Sequence, residues 1–189
     1  QELYNIHYAA KGDPAIADKI GQYSDIMPNK YRGIDHAAWA VLIHLFPKAN
    51  IPVLEISLDM TLSFEEHFEL GEQLKDLRDQ GVLFIGSGNA IHNLGDISSN
   101  ENDPPYKWAL ELDNWIKDKT ERPDPAALLD ILKQHPLAER GIPTADHYLP
   151  LLYIMAMRGD NEHIYTRHES IQNSSISMRM ILTYNITND

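Results

Sequence analysis

Cysteine is absent from this sequence of 189 residues. Without a thiol the protein can form no disulfide, use no thiolate nucleophile and build no cysteine-based zinc site. Any transition-metal site in the sequence must therefore use histidine together with aspartate or glutamate. Nine histidines and 28 acidic residues supply such ligands in quantity.

Positive charge is scarce as well, because 28 acidic residues outnumber 16 lysines and arginines and give a formal net charge of −12. This balance argues against general binding to nucleic acids or anionic membranes, since their phosphates repel such a protein. Long apolar runs are also missing, and none approaches the roughly 20 residues that a membrane-spanning helix needs. No signal peptide is visible, so the sequence predicts a cytoplasmic protein.

Several familiar catalytic motifs are missing, namely HExxH, the P-loop, GxSxG and the dinucleotide-binding fingerprint. The composition itself is ordinary for a globular domain, with 43% hydrophobic and 23% charged residues. The length fits one domain with a substantial core. The chain opens with Gln1 rather than methionine, so we expect either processing or a missing N-terminal part.

The predicted fold is organised around residues 81–94, GVLFIGSGNAIHNL. The apolar run 82–85 lies between glycines, which predicts a buried strand of a mostly parallel sheet. A second apolar run, 53–58, predicts another buried strand, and helical patterns lie before and between the two. This order predicts a single α/β domain with a central, mostly parallel or mixed sheet that is flanked by helices on both faces.

Capping residues mark the starts of three predicted helices. Asp35 predicts a helix from residue 36 to about residue 46, which is apolar nearly all round and therefore expected to be buried. Ser63 and Glu66 form a capping box that opens an amphipathic helix. Thr144 predicts a third helix that begins at residue 145 and has an apolar body.

Three histidines lie at positions where a fold of this class binds ligands. His92 follows the glycine-rich turn 86–89, and ligands bind just past the carboxyl ends of strands in open α/β sheets. His36 and His147 each fall in the first turn of a predicted helix. If the three side chains converge, they form a functional site. For His92 the alternative is a purely structural role, as a buried histidine that caps the next helix.

Histidine and carboxylates without cysteine leave three chemistries open. One is a non-haem iron site, in which two histidines and a third ligand leave positions for substrate and oxygen. Another is a zinc site of three histidines and an activated water. The third is metal-free acid–base catalysis by His92, because imidazole exchanges protons near neutral pH. Residue spacing alone does not choose among them.

Four short segments occur in order along the chain: 33–39 (GIDHAAW), 51–59 (IPVLEISLD), 86–94 (GSGNAIHNL) and 143–152 (PTADHYLPLL). Together they resemble the class III extradiol ring-cleaving dioxygenases, specifically the DOPA 4,5-dioxygenase-like branch. The resemblance covers nearly the whole chain. Each motif is weak alone, but four in register are specific.

The resemblance implies a mononuclear non-haem iron(II) enzyme that cleaves the ring of a catechol such as DOPA with O2 to give a semialdehyde. Zinc is a possible alternative metal. His147 matches a metal ligand of the family. His92 matches the histidine of the SGNxxHN motif, which acts as acid–base catalyst and approaches the metal. His36 matches a histidine that faces the catechol, and the resemblance implies that His36 shares the catalytic donation of protons with His92. We expect Asn89 to contribute to substrate binding together with His36.

The two other metal-binding histidines of the family lie on N-terminal strands that no stretch of this sequence matches. Residues 1–189 are therefore expected to be a catalytic domain that lacks those strands and takes further metal ligands from an N-terminal segment. Two alternatives stay open on this basis. One is a zinc-dependent enzyme of unknown reaction on the same scaffold, and the other is an inactive, truncated domain. The sequence leaves the oligomeric state unknown.

Overall fold

The computed structural model of the chain describes residues 6–23 and 26–185. They fall into two compact units, one up to Leu58 and one from Asp59 onwards. The described residues contain helices and two small antiparallel sheets. The α/β class predicted from the sequence is therefore confirmed.

Local capping determines where the helices of the first unit begin. Helix α1, Pro14–Ile20, starts after Asp13, whose carboxylate accepts two main-chain N–H groups of the first turn. Helix α2, His36–Leu45, starts after Asp35 in the same way, which confirms the predicted cap. Only Leu42 of α2 is buried, so the expectation that this apolar helix is enclosed on all sides is wrong.

The central sheet predicted from the sequence is not confirmed. Neither 53–58 nor 82–85 belongs to a sheet, and the two sheets of the described residues are both two-stranded and antiparallel. A strand is defined by a ladder of main-chain hydrogen bonds to a neighbour. The amides of Val53 and Val82 each donate one main-chain bond, but no ladder follows. Neither run is buried, because every residue in both is half-buried or exposed and Leu83 is 68% exposed. The predicted burial of the two runs is therefore wrong as well.

Helix α3 opens the second unit at the predicted capping box. It spans Phe64–Leu74, and the Ser63 hydroxyl and the Glu66 carboxylate each accept the other residue's main-chain N–H. A 3-10 helix, Lys75–Gln80, continues it and ends at Gly81, whose φ of 84° is a left-handed conformation that suits glycine.

A short 3-10 helix, Leu94–Asp96, precedes five further α-helices in the described residues of the second unit. In chain order they are α4 Lys107–Glu121, α5 Pro125–Leu129, α6 Ile131–Gln134, α7 Ala138–Gly141 and α8 Leu149–Ala156. Helices α3 and α8 pack closely, because a Cβ on Gly71 would lie 2.8 Å from the Cβ of Ala156. No helix within the described residues has both the length and the apolar character needed to cross a bilayer.

Helix α8 begins later than the sequence predicts. The expected start was residue 145, but the helix starts at Leu149, and His147 lies in the turn before it. Pro150 explains the shift, because proline fits the first turn of a helix but clashes with the preceding turn when it lies further inside. The prediction that His147 lies within the first helical turn is therefore wrong by two residues.

Four strands follow α8 within the described residues, which end at residue 185. Strand β1, Glu162–His168, pairs antiparallel with β4, Met180–Asn185, and the short strands β2, Ile171–Gln172, and β3, Ile176–Ser177, form a separate antiparallel pair. Residues 175–186 alternate at period 2, a pattern that predicts a single strand, but the structure divides them into β3 and β4. Residue 186 lies outside the described residues.

A largely buried ion pair joins the 3-10 helix to β1. The guanidinium of Arg78 binds both carboxylate oxygens of Glu162, with one of the two Nη–Oε distances 2.8 Å. The main-chain N–H of Gly159 also donates to Glu162, at 2.7 Å. The hydrogen bond from Arg78 is the main reason why the pKa of Glu162 lies below its usual value.

Replacing Glu162 by glutamine is expected to lower the free energy of unfolding by about 2 kcal/mol at neutral pH, because Arg78 loses its charged partner. The folded-state pKa of Glu162 is lowered, so its contribution is complete above the unfolded-state pKa, about 4.3. The contribution is lost as the pH falls through the folded-state pKa.

Urea unfolding of wild type and E162Q at several pH values measures this difference, which should shrink in acid. K133Q is the control, because the Lys133 side chain is 80% exposed in its ion pair with Asp130 and such pairs contribute little. A gap between wild type and E162Q that does not change with pH would contradict the assignment.

Candidate functional site

The imidazole rings of His92 and His147 stack against each other in the second unit. Their centroids are 3.6 Å apart and their planes differ by 10°. Both residues are partly buried, and the His147 side chain is 34% exposed. Two of the three histidines singled out in the sequence therefore lie together at an accessible position.

Glycines allow the turn that carries His92 to approach the residues before α8. A Cβ on Gly88 would lie 2.5 Å from the carbonyl oxygen of His147, and a Cβ on Gly86 would lie 2.7 Å from that of Pro150. These distances are too short for any side chain, so main chain meets main chain at both points. The small residues of the turn are thus needed for packing as well as for turning.

Main-chain hydrogen bonds fix the two histidines further. The N–H of Asn89 donates to Nδ1 of His147 at 3.2 Å, and the N–H of His92 donates to the carbonyl of Gly141 at 2.8 Å. The hydroxyl of the buried Tyr148 donates to the carbonyl of Leu128 at 2.9 Å. The residue that follows His147 is thereby anchored in the core.

The two remaining residues of the predicted site have different surroundings. The side-chain amide of Asn89 donates to the carbonyl of Ser177 at 2.7 Å, so its nitrogen is engaged within the protein. His36 is exposed at the start of α2 in the first unit. The position of His36 relative to the stacked pair stays a prediction. The substrate contacts expected of His36 and Asn89 stay predictions as well.

Residues 1–181 match the family described as the catalytic LigB subunit of aromatic ring-opening dioxygenase. The chain belongs to this family. The resemblance to the class III extradiol dioxygenases is thus confirmed.

Curated relatives confirm the resemblance to the DOPA 4,5-dioxygenase-like branch. The chain is 35% identical over 190 residues to the 4,5-DOPA dioxygenase extradiol of Escherichia coli (strain K12), covering 94% of the chain and 68% of the relative. It is 31% identical over 179 residues to the 4,5-DOPA dioxygenase extradiol of Beta vulgaris, covering 89% of the chain and 65% of the relative. The chain therefore spans about two thirds of the length of these relatives.

A solved structure has a similar fold. The crystal structure of the uncharacterized protein JW3007 from Escherichia coli K12 is similar, with a TM-score of 0.87 and 33% sequence identity. The match covers 95% of this chain and 76% of that one. At this identity and coverage the two chains share their α/β fold.

The donor atoms of the LigB-family site suit a metal in kind but not in number. Imidazole nitrogen is a ligand for both iron and zinc, yet the described residues contain no group of three or more histidine, aspartate or glutamate side chains that could hold an ion. A ring nitrogen directs its lone pair within the ring plane. Since the planes of His92 and His147 are nearly parallel, both rings cannot point at one ion in this arrangement. The described residues alone therefore do not complete a metal site.

One charged residue of the site was missed by the sequence reasoning. Oδ2 of Asp146 lies 3.9 Å from Nε2 of His147. A hydrogen bond from Thr144 is the main reason why the pKa of Asp146 lies below its usual value, and the nearby rings of His147 and His92 contribute. The sequence feature that could have identified Asp146 is its position directly before His147. Asp146 places a negative charge where a protonated imidazole would be stabilised.

Proposed function

We propose that the protein is an extradiol dioxygenase that opens the ring of a DOPA-like catechol with O2 and yields a semialdehyde. The observation that carries this proposal is the stacked pair of His92 and His147 in a chain that matches the LigB family over residues 1–181. Both histidines stand in the motifs by which the sequence resembles extradiol dioxygenases. Residues 1–189 would then form part of one catalytic domain, in a protein that acts in the cytoplasm.

Members of this family generally use a metal cofactor, and we propose iron(II), with zinc as the alternative. His147 would be one ligand, since its imidazole is partly exposed, and further ligands would come from outside the described residues. Ligation through Nε2 would require the ring proton on Nδ1, which now accepts the Asn89 N–H. When bound, the metal would supply the activation of oxygen.

The protein groups would manage protons and hold the catechol. His92 would accept a proton from a catechol hydroxyl and return one later in the reaction. The carboxylate of Asp146 would stabilise His92 while it carries that proton. His36 would face the catechol, and the amide oxygen of Asn89 would accept a substrate hydroxyl, since the amide nitrogen already binds Ser177.

Addition of DOPA in air to the protein reconstituted with iron(II) is expected to consume oxygen and give a yellow semialdehyde. One O2 should disappear for each ring cleaved, because both oxygen atoms enter the product. An oxygen electrode and an absorbance spectrum measure the two quantities together. The zinc-loaded protein is the control and should consume no oxygen, because zinc has no redox chemistry.

Absence of both oxygen uptake and yellow product in the iron-loaded protein would contradict the proposed reaction. Activity with zinc instead of iron would favour the zinc-dependent alternative. The variant His44→Ala tests for nonspecific effects of histidine loss, because His44 is exposed near the end of α2 and is assigned no role in the site. Its rate should equal that of wild type.

A further inference from the structure

A buried ion pair lies behind the site, between α4 and the residue two positions after β3. Asp113 is 5% exposed, and the side chain of Arg179 is 2% exposed. Nη2 of Arg179 donates to Oδ2 of Asp113, and Nε donates to Oδ1 at 3.2 Å. Burying two charges costs desolvation that their attraction often fails to repay. Such a pair therefore suggests a role besides stability.

The ion pair holds Ser177 of β3. The Ser177 hydroxyl donates to Oδ1 of Asp113 at 2.6 Å and accepts the main-chain N–H of Arg179 at 3.3 Å. The N–H of Ser177 donates to the carbonyl of Ile91 at 3.1 Å. These three bonds fix the backbone of Ser177, and with it the direction of its carbonyl group.

The Ser177 carbonyl in turn holds the residue that contacts His147. It accepts the side-chain amide of Asn89 at 2.7 Å, and the main-chain N–H of Asn89 donates to Nδ1 of His147 at 3.2 Å. We propose that Asp113 and Arg179 are positioning residues, which orient the His147 ring through Ser177 and Asn89. This inference concerns the free protein and goes beyond the proposed function.

The proposed network explains how the ring is held in its present orientation. A donated N–H at Nδ1 keeps the lone pair there, so the neutral ring carries its proton on Nε2. The same bond fixes the ring plane, which determines the stacking on His92. Partners behind a functional histidine commonly set its tautomer and orientation.

The structure offers a variant that cuts the network with little other damage. Ser177→Ala removes the hydroxyl but leaves Asp113 bound to Arg179. Arg179 also lies 3.3 Å from Glu169, and Glu169 pairs with Lys117. Asp113→Asn is therefore a second variant in which Arg179 keeps a charged partner.

A matched control lies two residues before Ser177. Ser175 is equally buried, and its hydroxyl makes one 3.5 Å contact, to the carbonyl of Asn93, outside the proposed network. Ser175→Ala therefore makes the same chemical change at a neighbouring buried position. It should leave the Asn89 and His147 signals as they are in wild type.

The experiment is NMR spectroscopy of the isotopically labelled protein without added substrate or metal. In S177A and D113N we expect the Asn89 amide resonances and the Nδ1 resonance of His147 to shift. The upfield ring-current shifts that stacking produces at His92 and His147 should weaken. The spectrum of S175A should stay like that of wild type.

The proposal is overturned if S177A and D113N leave the signals of Asn89 and His147 as unchanged as S175A does. It is also overturned if S175A alters them as much as S177A, since the effect would then reflect general packing. Because the spectra need neither metal nor catechol, they can support the positioning role even if the wild type consumes no oxygen. In that case the proposed function fails and the network stands.

Discussion

Replacement of Gly88 by alanine should remove most of the activity, about 100-fold, because small displacements of reacting groups have effects of that size. The added Cβ would lie 2.5 Å from the carbonyl oxygen of His147 and 3.2 Å from its carbonyl carbon. Neither atom can swing aside as a flexible side chain could, so the two backbone segments must separate. The stack of His92 on His147 would then be lost.

The rate of oxygen uptake measures this loss, and the ring-current shifts of the two histidines report the separation directly. Stability should fall as well, by about 1–3 kcal/mol, which is typical of overpacking. Gly159→Ala is the control, since its Cβ would make an ordinary contact of 3.4 Å with Glu162. A G88A variant that keeps both the stack and wild-type activity would show that the close approach does not matter.

The second large effect is expected from the two stacked histidines themselves, whose variants should fail in different ways. His92→Ala should lower the rate about 10²- to 10⁴-fold, the usual contribution of acid–base catalysis, while metal content stays close to wild type. His147→Ala should lose the bound metal. Metal analysis of the purified variants, combined with turnover measured after iron reconstitution, separates the two outcomes.

The division of roles between the two rings is wrong if His92→Ala loses metal as completely as His147→Ala. Equal metal content in wild type and His147→Ala would contradict the ligand role of His147. His44→Ala serves again as the control, because it removes an exposed histidine from a different part of the chain.

Local chemistry was predictable from the sequence. The caps at Asp35 and Ser63 are confirmed because a capping side chain acts on amides only two or three residues away. Helix α8 starts later than a cap at Thr144 predicts, because Pro150 must lie in the first turn. In both cases the deciding interactions span a few residues.

Long-range pairing was harder to predict. The apolar runs 53–58 and 82–85 have the composition of strands but no ladder in the described residues, because residue pattern does not specify a distant hydrogen-bonding neighbour. The meeting of His92 and His147, 55 positions apart in the numbering, could not be derived from spacing either. It followed from the resemblance of two motifs to one family.

The buried ion pair of Asp113 and Arg179 could not be predicted from the sequence either. They lie 66 residues apart, and in the sequence each is one charged residue among many in a chain that is 23% charged. Most such residues lie in solvent. Nothing in the local sequence separates a carboxylate that is buried against an arginine from one on an exposed helix face.

The main-chain contacts at Gly86 and Gly88 also limit how the site can move. No side chain lies between the turn and residues 147–150 at these two points, so there is no rotamer change by which one segment could shift without the other. The two imidazoles should therefore move as one rigid body. A site built in this way is preorganised. Ligand binding would cost the protein little conformational entropy, because the two imidazole rings are already aligned with each other.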